Sequence, residues 1–331
     1  MSATPQAIQP VIQVQRLEKR YGKTQALNGL DLQVERGSIY GFVGPNGAGK
    51  TTTMRILATL LEADAGTGRI AGEDIREHPA RARGHLGFMP DFFGVYEDLT
   101  VAEYLDFYAA SYGIPAKRRR TTIAELLELV DLSHKRDDYV EGLSRGMKQR
   151  LGLARCLVHE PDVLLLDEPA SGMDPRARYE MREIVRELQR LGTTVLVSSH
   201  ILPELADMCT HIGIIQHGRL VREGPVEQVL RGMNPGRTIA IQVLGPPATA
   251  LETLKRVPEV SDIVSPPEPA GEHNAAGARP TQITFRTFAD DAGLREILRA
   301  LVSADAGVIH FAQQLDNLEE VFMQLTERTD S

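Results

Sequence analysis

Residues 39–51 constrain this chain more than any other stretch. Ile39-Tyr40-Gly41-Phe42-Val43 is a short unbroken apolar run, the pattern of a strand buried on both faces. Gly44-Pro45-Asn46-Gly47-Ala48-Gly49-Lys50-Thr51 follows at once, and a helical stretch opens through Thr52. Strand, glycine-rich turn and helix, in that order, make the context in which this spacing is a Walker A loop rather than a turn with a chance lysine. Glycines let the backbone wrap a polyphosphate with its N–H groups, and the helix N-terminus adds partial positive charge. Residues Gly44 to Thr52 are therefore the expected nucleotide-binding loop, with Lys50 reaching the β- and γ-phosphates and Thr51 ligating Mg²⁺.

A second buried run, Val163-Leu164-Leu165-Leu166, ends in Asp167-Glu168. A buried strand closed by a carboxylate is the Walker B arrangement, which puts Asp167 in the Mg²⁺ shell. Glu168 is then placed to polarise an attacking water as general base. Together the two motifs specify a P-loop nucleotide hydrolase. The rest of the first ~230 residues fits, since β-rich runs alternate with helical stretches as in an α/β core. Strands are expected at 11–14, 30–34 and 194–199, and a hairpin turn at His217-Gly218. Asp174-Pro175 opens a helix that buries Ile184, Val185, Leu188 and Leu191. Residues 100–132 read as helical only, with capping boxes at Thr100/Glu103 and Thr122/Glu125 and a buried face of Ile123, Leu126, Leu127 and Val130.

Leu143-Ser144-Arg145-Gly146-Met147 narrows the reading further. It resembles the LSGGQ signature of the ATP-binding cassette (ABC) ATPases, with Arg145 and Met147 in place of the third-position Gly and the final Gln. A Ser hydroxyl and backbone N–H groups at a helix start can bind a γ-phosphate, and Ser144 can serve as a plain N-cap as well. The resemblance covers roughly residues 12–230. It implies that Tyr21 stacks on adenine, that Ser171-Gly172-Met173-Asp174 forms the D-loop, and that His200 is the switch histidine contacting the γ-phosphate. It implies that Ser144, Gly146 and Asp174 complete the site of an opposing chain, so that two cassettes sandwich two MgATP. It also implies a helical subdomain, about 92–155, that docks on a membrane partner.

One position departs from the family. Its Q-loop carries a glutamine that contacts Mg²⁺, and here Asp91 stands there, with no Gln between Gln33 and Gln149. A carboxylate can ligate Mg²⁺ but, ionised, cannot donate a hydrogen bond. Asp91 is thus a third metal-site candidate with Thr51 and Asp167, unless it points to solvent.

The expected fold class is α/β: a P-loop ABC ATPase core, 11–231, with a β-rich N-terminal subdomain and a helical insert. A linker at 232–237 leads to a small α+β accessory domain at 238–331. Strands are expected there near 239–243, 283–285 and 308–311, helices near 294–302 and 317–325, and a loop at 266–280 rich in Pro, Gly and Ala. Leu318-Glu319-Glu320-Val321-Phe322 resembles the tail of ATPases from ABC-2 type exporters.

Composition closes off other classes. The chain has 331 residues, enough for about two domains. No apolar run reaches the ~20 residues that span a bilayer, so the resemblance implies a separate multi-span permease. Two cysteines, Cys156 and Cys209, organise neither disulfides nor zinc and fit a reducing cytosol. A net charge of −8 gives no expectation of nucleic-acid binding. The basic run 117–120 is expected on a helix-flanking loop facing solvent. The expected protein is an ATPase on the cytoplasmic face of a membrane, homodimeric or paired with a related cassette. The alternative is a soluble cassette ATPase working on nucleic acid or ribosomes, for which tandem cassettes or a long coiled-coil insert would be expected.

Overall fold

A computed structural model describes residues 10–92, 94–233, 237–265 and 280–314. The chain divides into two compact units, Met1–Val229 and Leu230–Ser331.

The first unit opens with two long antiparallel strands, β1 (Pro10–Tyr21) and β2 (Thr24–Glu35). β3 (Ile39–Val43) follows, buried along its whole length, and leads through the glycine-rich loop into α1 (Lys50–Leu57). β4 (Ala65–Ile70) and β5 (Glu73–Asp74) return to β1 and give a four-stranded sheet of order β2-β1-β4-β5. This is the β-rich subdomain. α2 (Pro79–Gly84) and β6 (Leu86–Met89) then lead to the helical insert: α3 (Val101–Ser111), α4 (Ala116–Leu129) and α5 (Arg145–Leu157). The chain returns through β7 (Val163–Asp167), α6 (Pro175–Arg190), β8 (Thr194–Ser199), α7 (Leu202–Ala206) and the hairpin of β9 (His211–Gln216) and β10 (Arg219–Pro225). His217 and Gly218, both at positive φ, form its turn.

A six-stranded sheet of order β10-β9-β3-β8-β7-β6 results. β3 lies at its centre, parallel to both β8 and β9. Val43, Asp167 and Ser199 therefore arrive at one edge of the sheet, where the strands' carboxyl ends open a crevice for ligands. Leu17, Leu30, Phe42, Met54, Leu57, Leu165, Leu196 and Ile215 form one buried cluster that fastens α1 beneath both sheets.

Three local readings need correction. Thr122 caps nothing: α4 begins at Ala116 after Pro115, and Thr122 is buried in its interior. The basic residues 117–120 therefore lie in the first turns of α4 rather than on a loop, with Arg119 bound to Asp106 of α3 at 2.8 Å. Leu191 is 68% exposed, because α6 ends at Arg190 and Gly192, at φ +96°, turns the chain away. Met181 completes the buried face instead. The Thr100 box does form, with the Glu103 N–H donating to Thr100 Oγ1 at 3.3 Å and the Thr100 N–H to Glu103 Oε2 at 2.9 Å.

α8 (Val226–Met233) contains the division between the units, ahead of the linker expected at 232–237. Residues 234–236 lie outside the described residues. The second unit runs β11 (Arg237–Val243), α9 (Ala248–Lys255), β12 (Val260–Val264), β13 (Thr281–Thr287), α10 (Asp291–Ser303) and β14 (Val308–Gln313). All pairings are antiparallel, in the order β12-β13-β11-β14, which is the split β-α-β plan. Ile239, Ile241 and Val243 alternate inward and join Ile283, Phe285, Leu254 and Leu301 in a core of its own. Residues 266–279 of the loop expected at 266–280, the helix near 317–325 and the 318–322 tail fall outside the described residues.

Candidate functional site

At the carboxyl edge of the six-stranded sheet lies a cleft of about 310 Å³. Asn46, Gly47, Gly49, Lys50, Thr51 and Thr52 line one side, and Asp91, Glu168, Ser171 and His200 the others. Four separate segments thus supply one cavity: the loop after β3, the segment after β6, the end of β7 and the end of β8. The loop's shape depends on its glycines. Gly49 stands at φ +114° as the N-cap of α1, and a Cβ there would lie 2.7 Å from the Ala26 carbonyl. A Cβ on Gly44 would meet the Ile215 carbonyl. The first N–H groups of α1 have no acceptor within the helix and so remain donors for an anion.

Lys50 is buried, and its ammonium donates to the carbonyls of Gly44 at 2.6 Å and Pro45 at 3.2 Å. Glu168 Oε1 lies 3.5 Å from the same nitrogen. Burial lowers the Lys50 pKa, while Glu168 and Asp167 oppose the shift. The other Glu168 oxygen accepts from His200 Nδ1 at 2.9 Å. Glu168 therefore bridges the loop lysine and the histidine after β8, at a backbone φ of +49°.

Asp167 is 1% exposed. Its Oδ1 accepts from Ser198 Oγ at 2.7 Å, whereas Oδ2 has no hydrogen-bond partner among the described residues. A buried carboxylate oxygen left unpaired is costly, so this atom fits a cation. Charge gives the same answer: among the described residues Lys50 is the one Lys or Arg lining the cleft, against two lining carboxylates, Asp91 and Glu168, and a triphosphate would add more negative charge.

Other expected site residues lie outside the cleft lining. Ala48 is buried in the loop, its N–H donating to Pro45 O at 3.2 Å. Tyr21 is exposed at the end of β1, with Lys19 Nζ 6.0 Å from its ring centroid. Ser144 caps α5 by accepting from the Met147 N–H at 3.3 Å. Asp174 caps α6 through the N–H groups of Arg176 and Ala177, both at 3.0 Å. Gly146 packs against Ala177, so these two helix starts meet each other. Arg145 lies over Gly172 so closely that a Cβ there would touch the guanidinium.

Sequence reasoning missed Ser198 and the pair Arg178–Glu204. Arg178 Nε donates to the Met173 carbonyl at 2.9 Å and Nη1 to Glu204 at 2.7 Å, which ties the turn before α6 to α7. The available signal for Ser198 was the pair of hydroxyls, Ser198 and Ser199, that closes a fully buried strand. No sequence spacing brings Arg178 to Glu204.

Residues 27–171 match the family model described as ABC transporter. "Nod factor export ATP-binding protein I" of Ralstonia nicotianae is 36% identical over 321 residues, spanning 96% of this chain and 94% of that protein. "Daunorubicin resistance ATP-binding protein DrrA2" of Streptomyces coeruleorubidus is 35% identical over 321 residues, 97% and 96% of the two chains. Among solved structures, an ATP binding subunit of an ABC transporter superposes with a TM-score of 0.61 at 28% identity, covering 67% of this chain and 92% of that one. CbiO1 from Clostridium perfringens, part of the ABC transporter complex cbiONQ, gives 0.61 at 26%, covering 67% and 91%. The chain belongs to the ABC transporter family, as one of its ATP-binding, ATP-hydrolysing subunits.

Proposed function

We propose that this chain binds MgATP in the cleft above Lys50 and drives a separate membrane permease that exports its cargo. The observation that carries the reading is the meeting of Lys50, Glu168 and His200 beside the loop donors in one cavity. The loop N–H groups and Lys50 hold the phosphates. Glu168 accepts a proton from the attacking water, and His200 holds the Glu168 carboxylate and reaches the γ-phosphate. Catalysis is mainly positional and electrostatic. Thr51, Asp167 and Asp91 would hold Mg²⁺, which when bound neutralises charge on the phosphate oxygens.

Tyr21 stacks on adenine in this reading. Ser144, Gly146 and Asp174 serve the nucleotide of a second cassette, identical or related; none of the three lines the cleft of its own chain. Among the described residues no helix is long and apolar enough to cross a membrane, and in this reading the membrane-spanning part is the separate permease. The exporter assignment is supported by the Nod factor and daunorubicin-resistance relatives. The working location is then the cytoplasmic face of the membrane.

The test is affinity purification of Glu168→Gln with MgATP from solubilised membranes of the native host. A stoichiometric multi-span membrane protein is the expected companion. Recovery with ribosomes or DNA-repair proteins and no membrane protein would overturn the reading.

A further inference from the structure

Two carboxylates with different tasks follow one another on the backbone here. Asp167 ends β7, and Glu168 turns away at φ +49°, a conformation that costs a non-glycine residue and needs support. The support comes from the neighbouring strand. Ser198 stands directly opposite Asp167 in the β7–β8 register and is fully buried. Its Oγ donates to Asp167 Oδ1 at 2.7 Å and accepts the Glu168 N–H at 3.0 Å.

A serine hydroxyl has one proton. With that proton on the Asp167 side, the lone pairs are left for the Glu168 N–H, so both bonds form together in one sense only. The second Asp167 oxygen is then the unpaired one. Ser199, the next hydroxyl, is engaged elsewhere: it accepts from the Ile201 N–H at 3.0 Å and approaches Glu204. A polar group in a fully buried strand is unfavourable unless bonded, and these two bonds are what a hydroxyl at 198 provides.

We propose that Ser198 is a positioning residue for ATP hydrolysis. It divides the Asp167 carboxylate into one oxygen held by protein and one left for the metal, and it pins the Glu168 backbone so that its carboxylate stays at the cleft. This rests on the MgATP reading above. Ser198→Ala leaves the Glu168 N–H without its acceptor and frees Asp167 to rotate. Groups that orient metal ligands typically change metal affinity or activity by about 10- to 100-fold when removed.

The experiment uses the full chain and two readouts. Mn²⁺ binding is titrated by electron paramagnetic resonance in the presence of a non-hydrolysable ATP analogue, and steady-state hydrolysis gives kcat and KM. Ser198→Ala is expected to weaken Mn²⁺ and lower kcat, each about 10-fold or more, with KM for ATP within about 3-fold. Ser198→Cys, a weaker donor in nearly the same volume, should fall between. Wild-type Mn²⁺ affinity and kcat in Ser198→Ala overturn the proposal. So does a Ser198→Cys chain no better than Ser198→Ala. If Ser198→Ala does not fold, Ser198→Cys decides: Mn²⁺ affinity below wild type supports the role, and unchanged affinity overturns it. A wild-type chain that binds no nucleotide would instead overturn the reading of the cleft.

Discussion

Glu168→Gln should make the empty protein less stable and the ATP complex tighter, by the same energy. Glu168 Oε1 lies 3.5 Å from Lys50 Nζ, and both side chains are largely buried. At an effective dielectric of ~20 such a pair attracts by about 4.7 kcal/mol. Desolvation of Glu168 offsets part of this, and Lys50 keeps two carbonyl partners when Glu168 is neutral. The net loss should be about 1–3 kcal/mol, below the cost of stripping a buried ion of every partner. In the proposed complex Lys50 turns to the phosphates and a carboxylate stays beside them, so ATP binding breaks this pair in the wild type. The variant starts without the pair, so its ATP affinity should rise by about 5- to 150-fold, the same 1–3 kcal/mol expressed as a binding constant. Calorimetric titration with ATP in EDTA, where hydrolysis does not run, measures the affinity. Differential scanning calorimetry of the empty protein measures the loss. A gain in affinity with no loss of stability in the empty protein would refute the reasoning, as would neither change.

Asp91→Gln replaces a lining carboxylate with a neutral amide. It should tighten ATP binding in EDTA and lower the dependence on Mg²⁺; unchanged affinity and Mg²⁺ profile would place Asp91 outside the metal shell. Thr100→Ala removes the α3 cap and should lower stability by about 1 kcal/mol in calorimetry. Phe285→Ala empties the centre of the second unit's core and should cost it about 3–5 kcal/mol, read as a lower melting transition. Asp162 binds Arg36 at 2.7 Å and His85 at 2.7 Å, and the Arg36 bond leads in holding its carboxyl below the usual 3.8. A depressed folded-state pKa stabilises above the unfolded value and ceases to as pH falls through the folded one. Asp162→Asn should therefore lower the melting temperature at neutral pH, by an amount that shrinks as pH falls below the unfolded value of 3.8.

The sequence was most informative where local chemistry and tertiary position agree. β3, the loop and α1 are each dictated by their own residues, and so are the caps at Thr100 and Asp174. It was least informative where a distant partner decides. β4, Ala65–Ile70, has little apolar pattern and exists because β1 pairs with it. Thr122 and Glu125 have the spacing of a helix start, but the helix begins at Ala116, one turn and more upstream, and Thr122 packs inside. Leu191 keeps the apolar spacing of α6 yet falls past its end. The cleft followed the same division. Its loop and strand-end carboxylates were legible, whereas the Ser198 bridge needed the β7–β8 register and the Arg178 tie needed the fold.

The hairpin turn between β9 and β10 has a consequence for the order in which the site can form. The Gly218 N–H donates to the Ala48 carbonyl at 2.9 Å, and the Gly218 carbonyl accepts from the Asn28 N–H at 3.0 Å. β3 itself is flanked by β8 and β9, both more than 150 residues later in the chain. During synthesis, at about 5–20 residues per second, the loop leaves the ribosome on the order of ten seconds before the strands and the turn that hold it. Until then β3 is an unpaired apolar strand whose contacts must close a long loop, a slow step by topology. A nascent or truncated chain ending before residue 218 should therefore lack an ordered phosphate cradle, so nucleotide binding is confined to chains whose whole cassette has been made.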